Sequence, residues 1–249
     1  LMNLRGVKES GLAFAIPSYF FLGVTFLTIG VGYYQYFTGS LGTITGVEPI
    51  HEATQGVTAF LILRAFTSGC TALTGVEAIS NGITAFKEPR SRNAGLTLIW
   101  MTAILSVVFF SITFLARAIG AVPSEVQTIF SQIGSIVYGA GSPLYLTLLG
   151  STTLILVMAA NTAYADFPRL AALHAGDGFL PRQLTYRGSR LVFSYGIIVL
   201  AAVAALLVLV FQATTTALIP LYAIGVFLSF TLSQTGMAVR WWRCGHLKP

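Results

Sequence analysis

The residues best placed to do chemistry form one short run, Thr67-Ser68-Gly69-Cys70-Thr71-Ala72-Leu73-Thr74-Gly75-Val76-Glu77. Glycines, hydroxyl side chains and a carboxylate cluster here, in the middle of an otherwise apolar stretch, 56–86. Glycine weakens a helix, and hydroxyl groups satisfy backbone groups that an interrupted helix sets free. Thr74-Gly75-Val76-Glu77 has the T-x-x-E spacing of a capping box, which predicts Thr74 as N-cap and Glu77 as the N3 residue. A helix-start signal inside a hydrophobic stretch predicts a helix broken in two. The first half would end in free carbonyls, which suit a cation. The second would begin with free N–H groups and the positive end of a dipole, which suit a carboxylate. The chemistry indicated is grip and release of a small solute at Gly69–Glu77. Thr74 leads as ligand, Gly69 and Gly75 free the backbone, and Thr71, one turn before Thr74, is a weaker ligand.

Each residue also has a plainer reading. Small residues let helices pack closely, Thr74 serves as a cap and nothing more, and the capping box alone fixes Glu77. Against that, a carboxylate inside a membrane is a functional candidate by default. A low-dielectric setting favours the neutral acid over the anion, which qualifies Glu77 to carry a proton. Arg64, ten residues before Thr74, is expected to snorkel to the outer interface rather than gate the site.

The elements that would hold this run follow from composition. The chain has 249 residues, of which 55% are hydrophobic and 9% charged, with a mean hydropathy of +0.79. A soluble domain is about 25% charged. The composition excludes an ordinary soluble enzyme, a disordered chain and a nucleic-acid binder, and leaves an integral membrane protein. A crossing helix needs roughly 20 apolar residues. Six stretches qualify, at about 11–31, 56–86, 94–119, 143–173, 191–212 and 216–241. They are too long and too continuously apolar for barrel strands. The fold class read from sequence is all-α: one polytopic transmembrane domain over 1–249, with the second helix broken in mid-membrane. As one rod, the 31 residues of 56–86 would measure about 46 Å against a hydrocarbon core of about 30 Å.

Twelve of the 14 cations fall on one side of this arrangement. Arg5 and Lys8 precede the first stretch, Lys87, Arg90 and Arg92 follow the second, and Arg169, Arg182, Arg187 and Arg190 follow the fourth. Arg240, Arg243 and Lys248 follow the sixth. The opposite loops carry Glu48, Glu52 and Glu125 with no Lys or Arg. The positive-inside rule then places both ends of the piece in the cytoplasm, in a cytoplasmic membrane. It also accounts for the sequence pI of about 9.6 without nucleic acid. In the outer loop 120–142, Pro123-Ser124-Glu125 predicts the start of a short helix running to Val137, with Ile129, Ile133 and Ile136 on one face.

Other chemistry fails on the residues. His51-Glu52-Ala53-Thr54-Gln55 starts like a zinc-protease motif but lacks the second histidine. There is no G-x-S-x-G and no P-loop. Cys70 and Cys244 form no metal or disulfide pattern. The chain therefore reads as no enzyme, without cofactor or resident metal. Transport would draw on an ion gradient rather than ATP. A channel is the alternative of another class, because a carbonyl-lined break also suits a pore.

Three stretches resemble a known family. Gly69–Gly82, followed by Phe86-Lys87-Glu88-Pro89, is similar to the sixth helix of APC-superfamily permeases and the loop after it. Ala160-Asn161-Thr162-Ala163-Tyr164-Ala165-Asp166-Phe167-Pro168-Arg169, with Asp177-Gly178-Phe179-Leu180-Pro181-Arg182, looks like the end of their eighth helix. Ile219-Pro220-Leu221-Tyr222-Ala223-Ile224-Gly225 looks like their tenth. Within the superfamily the chain resembles the KimA-type potassium importers, a group also described as amino-acid permeases. The resemblance implies a LeuT-type inverted-repeat fold, of which this chain would be helices five to ten. Helices one to four and those beyond ten would belong to the rest of the polypeptide. It implies that Thr74 is a hydroxyl ligand of the cation, that Glu77 couples protons, and that Tyr222 is an aromatic beside the site. Asn161, Thr162 and Asp166 would form an inner gate. The plainer expectations are a packing or interfacial tyrosine at Tyr222 and a local Asp166–Arg169 ion pair. The implied function is alternating-access secondary transport, leaning to proton-coupled potassium uptake over amino-acid uptake. The implied partners are the small solute, the lipid bilayer, the remaining helices and a second copy of the chain as a homodimer.

Overall fold

The computed structural model describes residues 11–47, 58–71, 75, 79, 86–124, 126–186 and 193–244, with backbone only at 11–13 and 216. Among them the chain is helical, with no strand. The helices are α1 (Gly11–Phe37), α2 (Ala59–Cys70), α3 (Arg90–Ile119), α4 (Ile129–Tyr138), α5 (Pro143–Gly176), α6 (Ser194–Val210) and α7 (Thr215–Cys244), with a 3-10 turn at Arg182–Thr185. Among the described residues, four segments are long and apolar enough to cross a membrane: Phe14–Phe37, Arg90–Ile119, Pro143–Gly176 and Ala217–Cys244. The 17 residues of α6 reach about 25 Å, the short end of the crossing range. The chain is thus an all-α polytopic membrane protein.

Most of these helices overrun the apolar stretches that predict them. α1 continues past Val31 to Phe37 through Tyr33, Tyr34 and Tyr36, and α3 starts at Arg90 rather than Ala94. Hydropathy marks the part of a helix that lies in hydrocarbon. The backbone goes on hydrogen-bonding through the interface, where aromatic and charged side chains are at home. At α3 the start is fixed locally: Asn93 N–H donates to the Pro89 carbonyl at 3.1 Å and its side-chain amide to the Lys87 carbonyl at 2.9 Å. The outer helix is a correction. It does not begin at Pro123 but at Ile129, after Thr128, whose hydroxyl accepts from Ser131 N–H at 3.2 Å. Pro123 and Ser124 lie in the loop before it, and Glu125 is outside the described residues.

The described residues fall into two compact units. One lies within Leu1–Ala53 and Gly95–Leu200, the other within Thr54–Ala94 and Ala201–Pro249. In the first, Ile29 of α1, Leu115 and Ile119 of α3, and Ile133 and Val137 of α4 form one buried cluster. Gly32 lets α1 approach it, because a Cβ there would lie 2.9 Å from Leu115 Cδ1. Gly134 does the same for α4, whose Cβ position is taken by Leu148 of α5. Polar groups lock α4 further. Ser131 Oγ and Tyr145 Oη are 2.8 Å apart, Gln35 donates to the Val137 carbonyl at 2.9 Å, and Tyr138 Oη donates to Thr28 Oγ1 at 3.2 Å. Gln132 is fully buried and binds both main-chain groups of one loop residue, Val122. It accepts from Val122 N–H at 3.2 Å and donates to the Val122 carbonyl at 2.7 Å and the Gln127 carbonyl at 3.2 Å. In the second unit α2 packs against α7.

Candidate functional site

α2 is where the second hydrophobic stretch takes structure. Thr58 opens it as N-cap, its hydroxyl accepting from Leu61 N–H at 3.2 Å. The helix stops at Cys70, sixteen residues short of the end of the apolar stretch at Phe86. Its 12 residues span about 18 Å, a little over half of a hydrocarbon core about 30 Å thick. A helix of that length entering from one face ends near mid-bilayer. Non-helical backbone at such depth persists only in protein or beside a water-filled cavity. The expected interruption is therefore present: 56–86 is not a single rod.

The end of α2 carries the negative pole of its dipole, which favours a cation. Its carbonyls are partly engaged. Thr71 follows as C-cap, and its N–H is directed at the Gly69 and Ser68 carbonyls. The Thr71 hydroxyl also donates to the Ser68 carbonyl, and Thr67 Oγ1 donates to the Leu63 carbonyl at 2.8 Å. The Thr71 hydroxyl thus satisfies a carbonyl of the last turn, while the Thr67 bond is the ordinary one a threonine makes inside a helix. The Ser68 carbonyl is a group the sequence reading missed. The signal was the i, i+3 spacing of Ser68 and Thr71, which lets the later hydroxyl reach back to the earlier carbonyl.

Gly75 lies in a turn at φ +98°, a conformation open to glycine and rarely adopted by other residues. This corrects the capping-box register. With Thr74 as N-cap, Gly75 would be the first helical residue, with φ near −60°; instead the backbone is still turning there. Ile79 is helical and buried. Thr74 and Glu77 themselves are outside the described residues.

The remaining candidates divide between the two units. Tyr222 is on α7, the helix packed against α2, two residues after Pro220. It is half exposed, and its hydroxyl makes no hydrogen bond to a described residue. Gly69, Thr71, Gly75 and Tyr222 therefore share one unit. Asn161, Thr162 and Asp166 are together on α5, in the other. Thr162 Oγ1 donates to the Met158 carbonyl at 3.0 Å. The expected Asp166–Arg169 pair is not formed: both side chains are exposed, and among the described residues the ion pair is Arg90 with Glu88 at 3.2 Å. Pro168 lies between Asp166 and Arg169, where its ring removes a backbone donor from the helix. Its Cα and Cβ pack on Gly196 of α6, where an added Cβ would come within 2.9 Å of them.

The chain matches the family model for amino acid permease over residues 1–249. Potassium transporter KimA of Bacillus subtilis (strain 168) is 46% identical over 241 residues, which make up 97% of this chain and 40% of that protein. The chain thus spans less than half the length of the curated relative it matches.

Proposed function

The chain belongs to the amino acid permease family, and from that premise we propose that it is the helix-five-to-ten part of a secondary active transporter. The transporter moves a small solute across the cell membrane by alternating access, and the solute is potassium, taken up with protons. The observation that carries the choice of solute is the 46% identity to a protein named a potassium transporter, which extends over 97% of this chain. The site chemistry supports it. α2 ends with the negative pole of its dipole at a break in the apolar stretch, a setting that favours a cation, although the Ser68 carbonyl is already taken up by Thr71. The Thr74 hydroxyl is read as a ligand of that cation. Gly69, Thr71 and Gly75 shape the break, Tyr222 borders it, and Glu77 carries the coupled proton. Asn161, Thr162 and Asp166 form the inner gate on α5. Both ends of this chain face the cytoplasm, by the cation bias. The other helices of the polypeptide complete the site.

The test is uptake by the intact parent protein in vesicles, with rubidium standing in for potassium and labelled amino acids offered in parallel. Saturable rubidium uptake, competed by potassium and driven by an inward proton gradient, is the expected result. Uptake of amino acids alone would transfer the site to the function in the family's name. Non-saturable flux without counterflow would make it a channel.

A further inference from the structure

α7 is 30 residues long, about 45 Å, against a hydrocarbon core of about 30 Å. With its apolar start at the outer boundary, roughly 20 residues fill the core. The last turns, from about Ala238 onward, then emerge into the headgroup layer. Those turns read Ala238-Val239-Arg240-Trp241-Trp242-Arg243. Both indoles are exposed, Trp241 at 71% and Trp242 at 82%. Ala238, Val239, Trp242 and Arg243 line a shallow groove of about 240 Å³ on one face of the helix. Its lining is almost wholly apolar, so Arg243 contributes its hydrocarbon stem and leaves its charged end outside the groove. Arg240 and Arg243 are three residues apart, so they flank the same stretch of surface.

Neither arginine has an acidic partner among the described residues. Along this sequence every Asp and Glu lies at or before Asp177, while Arg182, Arg187, Arg190, Arg240, Arg243 and Lys248 follow it. Arg90, by contrast, is neutralised by Glu88. An apolar groove at interface depth, with Arg243 at its side and Arg240 one turn before, has the chemistry of one occupant. We propose that the C-terminal end of α7 binds an anionic phospholipid, with the headgroup phosphate on Arg243 and Arg240 and the glycerol and upper acyl chain against Val239, Ala238 and Trp242. The helix end itself opposes this, because its C-terminal pole repels an anion. Any preference for a negative headgroup must therefore come from the arginine side chains.

The intact transporter in nanodiscs provides the test. Brominated phosphatidylglycerol or brominated phosphatidylcholine is added at equal mole fraction, and the fluorescence lost in Trp242→Phe is taken as the Trp242 signal. That signal should report about a fivefold preference for phosphatidylglycerol per arginine engaged. The preference should fall to near one in Arg240→Gln/Arg243→Gln, with quenching by phosphatidylcholine retained. Equal quenching by both lipids in the unmodified protein would overturn the proposal, leaving an ordinary interfacial indole. Quenching by neither would also overturn it, placing protein rather than lipid in the groove. So would a preference that survives loss of both arginines.

Discussion

Replacing Gly75 with alanine should weaken solute binding without crowding anything. Gly75 is at φ +98°, and a Cβ built there meets no atom within 4 Å. The whole effect is conformational: a residue with a side chain held in that region costs about 1–3 kcal/mol. If the turn must form for the site to exist, that cost appears as an increase of about 5- to 150-fold in half-saturation. The assay is rubidium uptake by the parent protein in proteoliposomes, normalised to inserted protein. Gly23→Ala is the control. Gly23 also has open space at its Cβ position, but it lies within α1, away from the candidate site. Alanine there favours the helix by up to about 1 kcal/mol and should leave half-saturation within about twofold, well below the window assigned to Gly75. Gly75→Asn should fall between, because asparagine tolerates positive φ better than alanine. Two results would refute the reasoning. One is Gly75→Ala behaving like the unmodified protein. The other is Gly23→Ala proving as damaging as Gly75→Ala, which would make any added side chain, and not backbone conformation, the cause.

Thr74→Ala should raise the half-saturation for rubidium with little change in maximal rate; an unchanged half-saturation would remove Thr74 as a ligand. Glu77→Gln should leave rubidium exchange intact while abolishing uptake driven by a pH gradient, and a variant still fully driven by that gradient would remove Glu77 as the proton carrier. Gln132→Ala should strip both polar groups of Val122 and the Gln127 carbonyl of their partner. At about 1–3 kcal/mol for a buried group left unpaired, it should lower the thermal midpoint of the detergent-solubilised parent by several degrees, and an unchanged midpoint would mean that the loop holds without it.

Membrane class and helical fold were legible because both rest on sums over many residues. A charged fraction of 9% and a long apolar stretch leave little else. The interruption was legible for a local reason: Gly69, Thr71 and Gly75 are residues that release a backbone or satisfy it once released. What failed was register. At Pro123-Ser124-Glu125 a proline followed by polar residues resembles a helix start. Thr128 supplies the hydroxyl that caps Ser131 N–H, while the buried Gln132 holds Val122 in the loop from ten residues away. That staple is tertiary, and no local signal announces it. At Asp166 and Arg169, i, i+3 spacing predicts an ion pair, yet both side chains extend into exposed surroundings, where such a pair gains little.

The capping-box error has a consequence for the site. T-x-x-E spacing describes which side chains could reach which N–H groups if the backbone between them were already helical. It carries no information on whether that backbone is helical, and a glycine as the second residue is the one type that leaves the choice open. At Gly75 the turn takes it. Backbone outside the α-helix is established at Thr71 and at Gly75, and a bilayer tolerates such backbone only inside protein or beside a water-filled cavity. The proposed solute site at Gly69–Glu77 rests on that backbone, and no longer on the T-x-x-E motif that first pointed there.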